Sequence, residues 1–374
     1  MTGIGSPSPI PARLDEITAA RGIAASLVVI YHINAYANGA ITAAFPPLHY
    51  GILAVDFFFA LSGFILTHVY RDAWRSGAYR HAGFMGKRFA RVWPLHATTL
   101  LAVALIVLAG GRFGLTPEWQ PTASSFVLNL LMLNAESLTP ELAWNQPAWS
   151  IGAEWFAYLL FPLFLLTIDR LGNNALRALL CTLVFVACAV ASMQIFHVDL
   201  LELTYQGGVL RIIPSFLVGV ALRYAFDDLL ARGWGTNGRL IDIGLTVGAA
   251  MLVIAGYLGL PNEVFWPIII AMLLLLALRG QSAHPTMLRS RTLVWLGDIS
   301  YALYLVHAPV LMLIYGIGGK LLHANTTPAL LTLGMAAFLA SIVAAWLAHV
   351  VIERPAQSWL VGLGRRRALP ATAG

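Results

Sequence analysis

The stretch KRFARVWPLHATTLLAVALIVLAG, residues 87–110, decides how this chain is read. Three cations, Lys87, Arg88 and Arg91, crowd its start. Residues 92–110 then run without an Asp, Glu, Lys or Arg. As a helix that run is long enough to cross a hydrocarbon core of about 30 Å. A basic collar before such a run marks a span whose first end stays in the cytoplasm.

Nine further runs of the same kind extend outward from it, over 17–37, 51–70, 149–168, 175–196, 209–226, 240–258, 263–278, 293–317 and 328–352. The connections test the count. Between the second and third runs stand Arg71, Arg75, Arg80, Lys87, Arg88 and Arg91; the next connection has Arg112 alone. Arg170 and Arg177 follow, then no cation, then Arg223, Arg232 and Arg239, then none. Arg279, Arg289 and Arg291 precede the ninth run, Lys320 follows it, and Arg354 and Arg365 to Arg367 close the chain. Rich and poor connections alternate, and a wrong count would break the alternation at the error. The expected fold is therefore an all-α integral membrane bundle of about ten transmembrane helices with both termini cytoplasmic. Residues 1–356 form one transmembrane domain. Residues 357–374 read as a short basic cytoplasmic tail, disordered from Leu369 on. The short apolar segment 122–134 is expected to lie in the outer interface or to re-enter the membrane. Ala35-Tyr36-Ala37 has the spacing of a leader-peptide cleavage site, but Arg21 interrupts the run before it.

Composition agrees. Hydrophobic residues make up 59% of the 374 and charged residues 11%, with a mean hydropathy of +0.76. A soluble domain carries roughly 25% charge. The net charge of +6 comes from cations scattered over separate loops. They form no single stripe, which argues against nucleic-acid binding. Cys181 and Cys188 lie inside one apolar run, which argues against a disulfide framework or a Cys-ligated metal. No Walker loop, dinucleotide glycine pattern, HExxH or GxSxG occurs, and no metal is expected.

Ionisable side chains inside spans cost roughly 2.5–3.5 kcal/mol each at a helix centre and need a partner or a polar cavity. They fall into two layers. Arg21, near the cytoplasmic end of the first run, belongs with Arg88 and Arg91. The latter two lie three residues apart and so share a helix face. Paired guanidiniums suit phosphate oxygens; ordinary positive-inside charge is the plainer alternative. The outer layer holds His32, Asp56, Glu154 and His307. His32 follows Arg21 by eleven residues, which returns to the same face about 16 Å further out. Ser300, Tyr304 and His307 share a face of the ninth run. His32 is the candidate base, because imidazole titrates near neutrality. A neighbouring carboxylate, Asp56 or Glu154, would orient it.

At these residues the sequence resembles the membrane-bound acyltransferase family 3. Leu14-Asp15, Arg21-Gly22-Ile23-Ala24-Ala25 and Tyr31-His32 are similar to its opening signature. Val55-Asp56-Phe57-Phe58-Phe59-Ala60-Leu61-Ser62-Gly63-Phe64 resembles its second-span motif. Arg88-Phe89-Ala90-Arg91 with Trp93-Pro94 resembles its RxxR motif, and Trp149-Ser150-Ile151-Gly152-Ala153-Glu154 its fourth-span start. The run from Gly297 to His307 resembles its YLxH ending, and Glu353-Arg354-Pro355 its closing ExP. One departure stands out: Glu16-Ile17-Thr18-Ala19-Ala20 replaces a compact Gly-containing stretch before Arg21.

The resemblance implies a bacterial inner-membrane enzyme that transfers an acyl group, usually acetyl, from acyl-CoA (acetyl-CoA) to a hydroxyl of a carbohydrate or glycolipid. It implies a catalytic His32 and donor-binding Arg88 and Arg91. In the expected mechanism Arg21, Arg88 and Arg91 bind the CoA donor, its phosphates near Arg88 and Arg91 and Arg21 closer to the pocket interior. His32 removes the acceptor proton, Asp56 or Glu154 holds its ring, and Ser300, Tyr304 or His307 donates to the oxyanion. An acyl-histidine route is the alternative. Membrane lipids are expected partners. A transporter or flippase of an acylated or glycosylated small molecule is the rival function, because intramembrane charges also mark transport paths. A lipid-binding structural or sensory protein is a third.

Overall fold

The computed structural model describes residues 14–114, 117–321 and 323–368. Among them ten helices are long and apolar enough to cross a membrane, as the sequence predicts, and no strand occurs. The order is α1 (Asp15–Tyr36), α2 (Ala40–Ala44), a 3-10 segment (Pro46–Leu53), α3 (Ala54–Arg75), α4 (His81–Gly111), α5 (Ala123–Leu130), α6 (Trp149–Arg170), α7 (Asn174–Ile195), α8 (Gly208–Ala231), α9 (Gly238–Tyr257), α10 (Asn262–Arg279), α11 (Arg291–Asp298), α12 (Ser300–Leu321), α13 (Thr327–Ala348) and α14 (Arg354–Ala368). Polar caps set several starts. Asn173 accepts from the Leu176 amide, Asn237 from Leu240, and Ser290 from Leu293, each satisfying a donor that the first turn leaves free.

Helices α3, α6 and α8 pack at the centre, and α7, α9 and α13 present leucine and valine outward, as at Leu183, Val186, Leu240 and Leu339. Close approach depends on absent side chains. A Cβ on Gly219 would sit 1.9 Å from the Ala60 carbonyl oxygen, and one on Gly63 would sit 2.2 Å from that of Phe216. Backbones that near one another are how helices bind tightly where lipid removes the hydrophobic drive. A second such contact joins α11 to α1, where a Cβ on Gly297 would lie 1.8 Å from the Thr18 oxygen.

Four ion pairs tie the bundle at one end. Arg71 meets Asp227 at 2.6 Å, Arg75 meets Asp169 at 2.7 Å, Arg279 meets Asp242 at 2.7 Å, and Arg289 meets Glu16 at 2.6 Å. The first two join the end of α3 to the ends of α8 and α6, the third joins the end of α10 to the start of α9, and the fourth ties the loop after α10 to the start of α1. Several loop cations thus have mechanical work as well as orienting the chain.

The elements differ from the hydropathy reading in four places. Helix α4 starts at His81, eleven residues before the apolar run, because a helix continues past the hydrocarbon where hydropathy stops counting. The ninth run is broken at Ile299: α11 packs against α1, and the span proper starts at Ser300. Segment 122–134, expected at the outer interface or re-entering, takes the second arrangement and differs only in holding the short helix α5 (Ala123–Leu130) within the re-entering loop. Trp93 donates to Leu130 O at 3.0 Å, His96 Nε2 bonds Asn129 O at 2.7 Å, and Asn145 donates to Leu305 O at 3.0 Å. Finally, α13 does not end near 352. It passes through a π turn (His349–Glu353), in which the Arg354 amide reaches back to His349 O, and continues as α14. Pro355, with no N–H to give, follows the turn. Residues 357–368 of the expected tail are therefore helical, while the segment expected to be disordered, from Leu369, lies outside the described residues.

Candidate active site

A cavity of about 260 Å³ opens among α1, α3, α4, α6 and α12. Arg21, Arg88 and Arg91 line it together. Among the described residues none of the three forms an ion pair within 4.0 Å, in contrast to Arg71, Arg75, Arg279 and Arg289. Arg88 Nε is buried without a hydrogen-bond partner. All three are half-buried, and cations drawn partly out of water without a close partner are costly, so three of them around one cavity form a ready anion site. Further in, Ser62, Glu154, Tyr158, Ser300, Ser150 and Tyr304 line the same space, between the apolar Phe58, Phe59, Ile65 and Val92.

Contacts between helices fix the depth of each group. The Tyr301 hydroxyl donates to Val92 O at 2.7 Å, which sets the start of α12 level with Arg91. Ser150 Oγ and Tyr304 Oη lie 2.7 Å apart, one turn further along. Both oxygens also lie within hydrogen-bond distance of Pro147 O, at 3.1 and 3.0 Å, so one hydroxyl donates to that carbonyl and the other to its neighbour's oxygen. Ser300 Oγ, 1% exposed and lining the cavity, has no hydrogen-bond partner among the described residues.

Glu154 does not share the depth of His32, as its place at the start of the fourth span suggested. It lines the cavity with the arginines, and Ser62 Oγ donates to its Oε1. The re-entering loop is the reason. Asn145 is already level with Leu305 and with Thr99 of α4, to which it donates at 3.1 Å. Helix α6 therefore starts well below the outer surface, and its first turns carry Glu154 inward.

Asp56 is also not on His32. Its carboxylate is fully buried against Arg211, with Nη2 to Oδ2 at 2.7 Å and Nε to Oδ1 at 3.3 Å. Ser215 donates to the same carboxylate at 3.3 Å, and Trp266 donates to Ser215 at 2.9 Å. The guanidinium stacks over Trp149 at 5.3 Å and also donates to Leu203 O and Ile52 O. Every polar atom of this pair is used, which makes it a structural lock between α3 and α8. The sequence reading passed over Arg211. An arginine near the outer end of the sixth run, where loops are poor in cations, was the available signal.

His32 and His307 stand beyond Tyr304, outside the cavity lining. Their ring centroids are 4.9 Å apart, and that of His307 is 6.0 Å from Tyr304. Neither Asp56 nor Glu154 hydrogen-bonds His32. A backbone carbonyl takes the place expected for a carboxylate: His32 Nδ1 lies 2.8 Å from Val28 O, and His307 Nδ1 lies 3.1 Å from Leu303 O. A carbonyl only accepts, so Nδ1 carries the hydrogen in each ring and Nε2 is left as a lone pair. A neutral imidazole so held is ready to take a proton. Among the described residues no cluster of three side chains could hold a metal ion.

Ser62, Ser150 and Tyr158 join the site without having been singled out from sequence. Ser62 and Ser150 sit inside quoted motifs, where only their neighbours carried charge.

Known proteins are similar to this chain over nearly its whole length. "Acyltransferase MdmB" of Streptomyces mycarofaciens is 30% identical over 96% of this chain and 95% of its own. "Exopolysaccharide production protein ExoZ" of Rhizobium meliloti (strain 1021) is 26% identical over 87% of this chain and 93% of its own. "Peptidoglycan O-acetyltransferase OatA" of Listeria monocytogenes is 24% identical over 80% of this chain, which spans about half of that protein, 49%. No solved structure gives a significant match. The family profile described as an acyltransferase domain matches residues 14–349. With ten membrane-length helices among the described residues, a cationic cavity lined by five of them and that profile over most of its length, the chain belongs to the membrane-bound acyltransferase family 3.

Proposed function

We propose that this acyltransferase moves an acyl group, most simply acetyl, from cytoplasmic acyl-CoA to a hydroxyl of a carbohydrate or glycolipid in the bacterial inner membrane, with His32 as general base. Acyl transfer follows from the family and displaces the transporter reading.

One observation supports the donor: Arg21, Arg88 and Arg91 line one cavity and form no ion pair within 4.0 Å among the described residues. CoA is a polyanion, and guanidiniums bind its phosphate oxygens bidentately. Along α1, Arg21 and His32 are separated by about 16 Å, comparable to the reach of an extended phosphopantetheine arm. Phosphates on the arginines would bring the thioester past Ser62, Glu154 and Ser300 toward Tyr304 and the histidines. Ser300, Tyr304 or Ser150 could donate to the oxyanion as it forms. Glu154 would act inside the cavity, on the donor side, rather than on the His32 ring.

His32 Nε2 removes the proton as the acceptor oxygen attacks the thioester carbonyl; the C–S bond breaks, and the thiolate takes a proton to leave as the free thiol. Carbohydrate acceptors are supported by what two relatives are called, an exopolysaccharide production protein and a peptidoglycan O-acetyltransferase. The arginine-rich connections support a cytoplasmic position for both termini. The test is release of free thiol from acetyl-CoA by purified protein in detergent, with and without a glycoside acceptor. Thiol release that depends on protein and rises with acceptor supports the reading, and no consumption of the thioester removes it.

A further inference from the structure

His307 is fully buried, and its Nε2 has no hydrogen-bond partner among the described residues. Buried polar atoms are rarely left unpaired, because a lost partner costs the desolvation of the group. The fold does not leave this ring loose. Nδ1 is fixed to Leu303 O one turn back, as Nδ1 of His32 is fixed to Val28 O. Helices α1 and α12 run in the same direction: Gly22 of α1 packs beside Gly297, just before the start of α12, and His32 further along α1 lies beside His307 of α12. Both rings are thus anchored from the same side, on parallel helices, with centroids 4.9 Å apart. The result is two neighbouring acceptor nitrogens, each facing away from its own anchoring carbonyl. His32 is half-buried and reachable. One base needs one such nitrogen; this site has two.

We infer that the acceptor is held through two adjacent hydroxyls, one donating to His32 Nε2 and the other to His307 Nε2, so that the enzyme selects vicinal diols. This deepens the proposed function and rests on it. Adjacent hydroxyls on a sugar ring or glycerol unit lie closer together than the two ring centroids, and each can point its O–H outward to one of the two nitrogens. The hydroxyl on His32 loses its proton to Nε2, and its oxygen forms the C–O ester bond as the thioester C–S bond breaks. The proton passes to the departing sulfur. The hydroxyl on His307 keeps its proton and fixes which oxygen reacts. His307 is in this reading a binding residue that sets regiochemistry. A site built to bond a second hydroxyl discriminates strongly against acceptors that lack it.

The experiment pairs each diol with its single-hydroxyl analogue: octyl glucoside with its monodeoxy derivatives, 1,2-octanediol with 1-octanol, and trans-1,2-cyclohexanediol with cyclohexanol. Ester product and free thiol are measured with acetyl-CoA. The wild type is expected to favour at least one diol over its partner by about tenfold or more. In His307→Phe, which keeps a ring but no acceptor, that ratio is expected to fall to about one. In His307→Gln, which restores an acceptor oxygen, it is expected to recover in part. Equal rates on diols and single alcohols in the wild type overturn the inference, as does a diol preference that survives in His307→Phe. A wild type that hydrolyses acetyl-CoA yet acylates no diol overturns it too. A wild type that leaves acetyl-CoA intact under all conditions instead removes the donor reading on which it rests. Where a variant fails to insert, the wild-type ratio alone decides.

Discussion

Arg211 closes on Asp56 with 2.7 Å between Nη2 and Oδ2, both side chains shut away from solvent. The pair is completed by Ser215, Leu203 O and Ile52 O. Removing one member strands the other. Asp56→Ala is expected to lower stability by about 3–5 kcal/mol, the usual cost of a buried charge left alone. Asp56→Leu combined with Arg211→Met should cost much less. Thermal unfolding in detergent, followed by monodisperse yield, measures both. If Asp56→Ala unfolds like the wild type, the lock is not what holds α3 to α8.

The cationic cavity makes a prediction about substrate affinity. Hydrogen bonds to charged groups contribute about 1.5–3 kcal/mol each. Arg88→Ala with Arg91→Ala should therefore raise the KM for acetyl-CoA by tenfold or more. Added salt should weaken the wild type in the same direction. An unchanged KM would count against phosphate binding at these residues.

His32 should decide the chemical step. General base catalysis contributes typically 10²–10⁴-fold, so His32→Ala and His32→Gln should lose about that factor in kcat while still binding donor. Acceptor-dependent thiol release and equilibrium binding of a non-hydrolysable acetyl-CoA analogue separate the two quantities. Full turnover in either variant removes His32 from the mechanism.

Packing between α3 and α8 leaves no room at Gly219, where a Cβ would meet the Ala60 oxygen at 1.9 Å. Gly219→Val should part the helices and cost about 1–3 kcal/mol or more. The readout is the fraction of protein recovered folded from membranes. Gly259 has no neighbour within 4 Å, but its φ of +63° strains any substitution, so Gly83, also without a neighbour there, is the fitting control.

Orientation can be read directly. Green fluorescent protein fused after Gly374 should fluoresce, and alkaline phosphatase fused there should stay inactive, if the carboxyl end is cytoplasmic. The opposite pattern would invert the donor and acceptor sides together.

The sequence alone determined the number of crossings and grouped much of the inner layer. Hydropathy and loop charge are local properties, and a lipid solvent enforces them residue by residue. The three-residue spacing of Arg88 and Arg91 put them on one face because a helix fixes its own period. The eleven-residue step from Arg21 to His32 follows from the same geometry. Which groups meet across helices was not local. Glu154 lies with the arginines because a re-entering loop lowers the start of α6, and no periodicity encodes the path of a loop. Asp56 went to Arg211 and His32 to His307 because partners 155 residues apart for the first pair, and on α1 and α12 for the second, are chosen by packing. Depth, partner and the cavity itself are properties of the assembled bundle, where glycine contacts such as Gly219 on Ala60 set which faces touch.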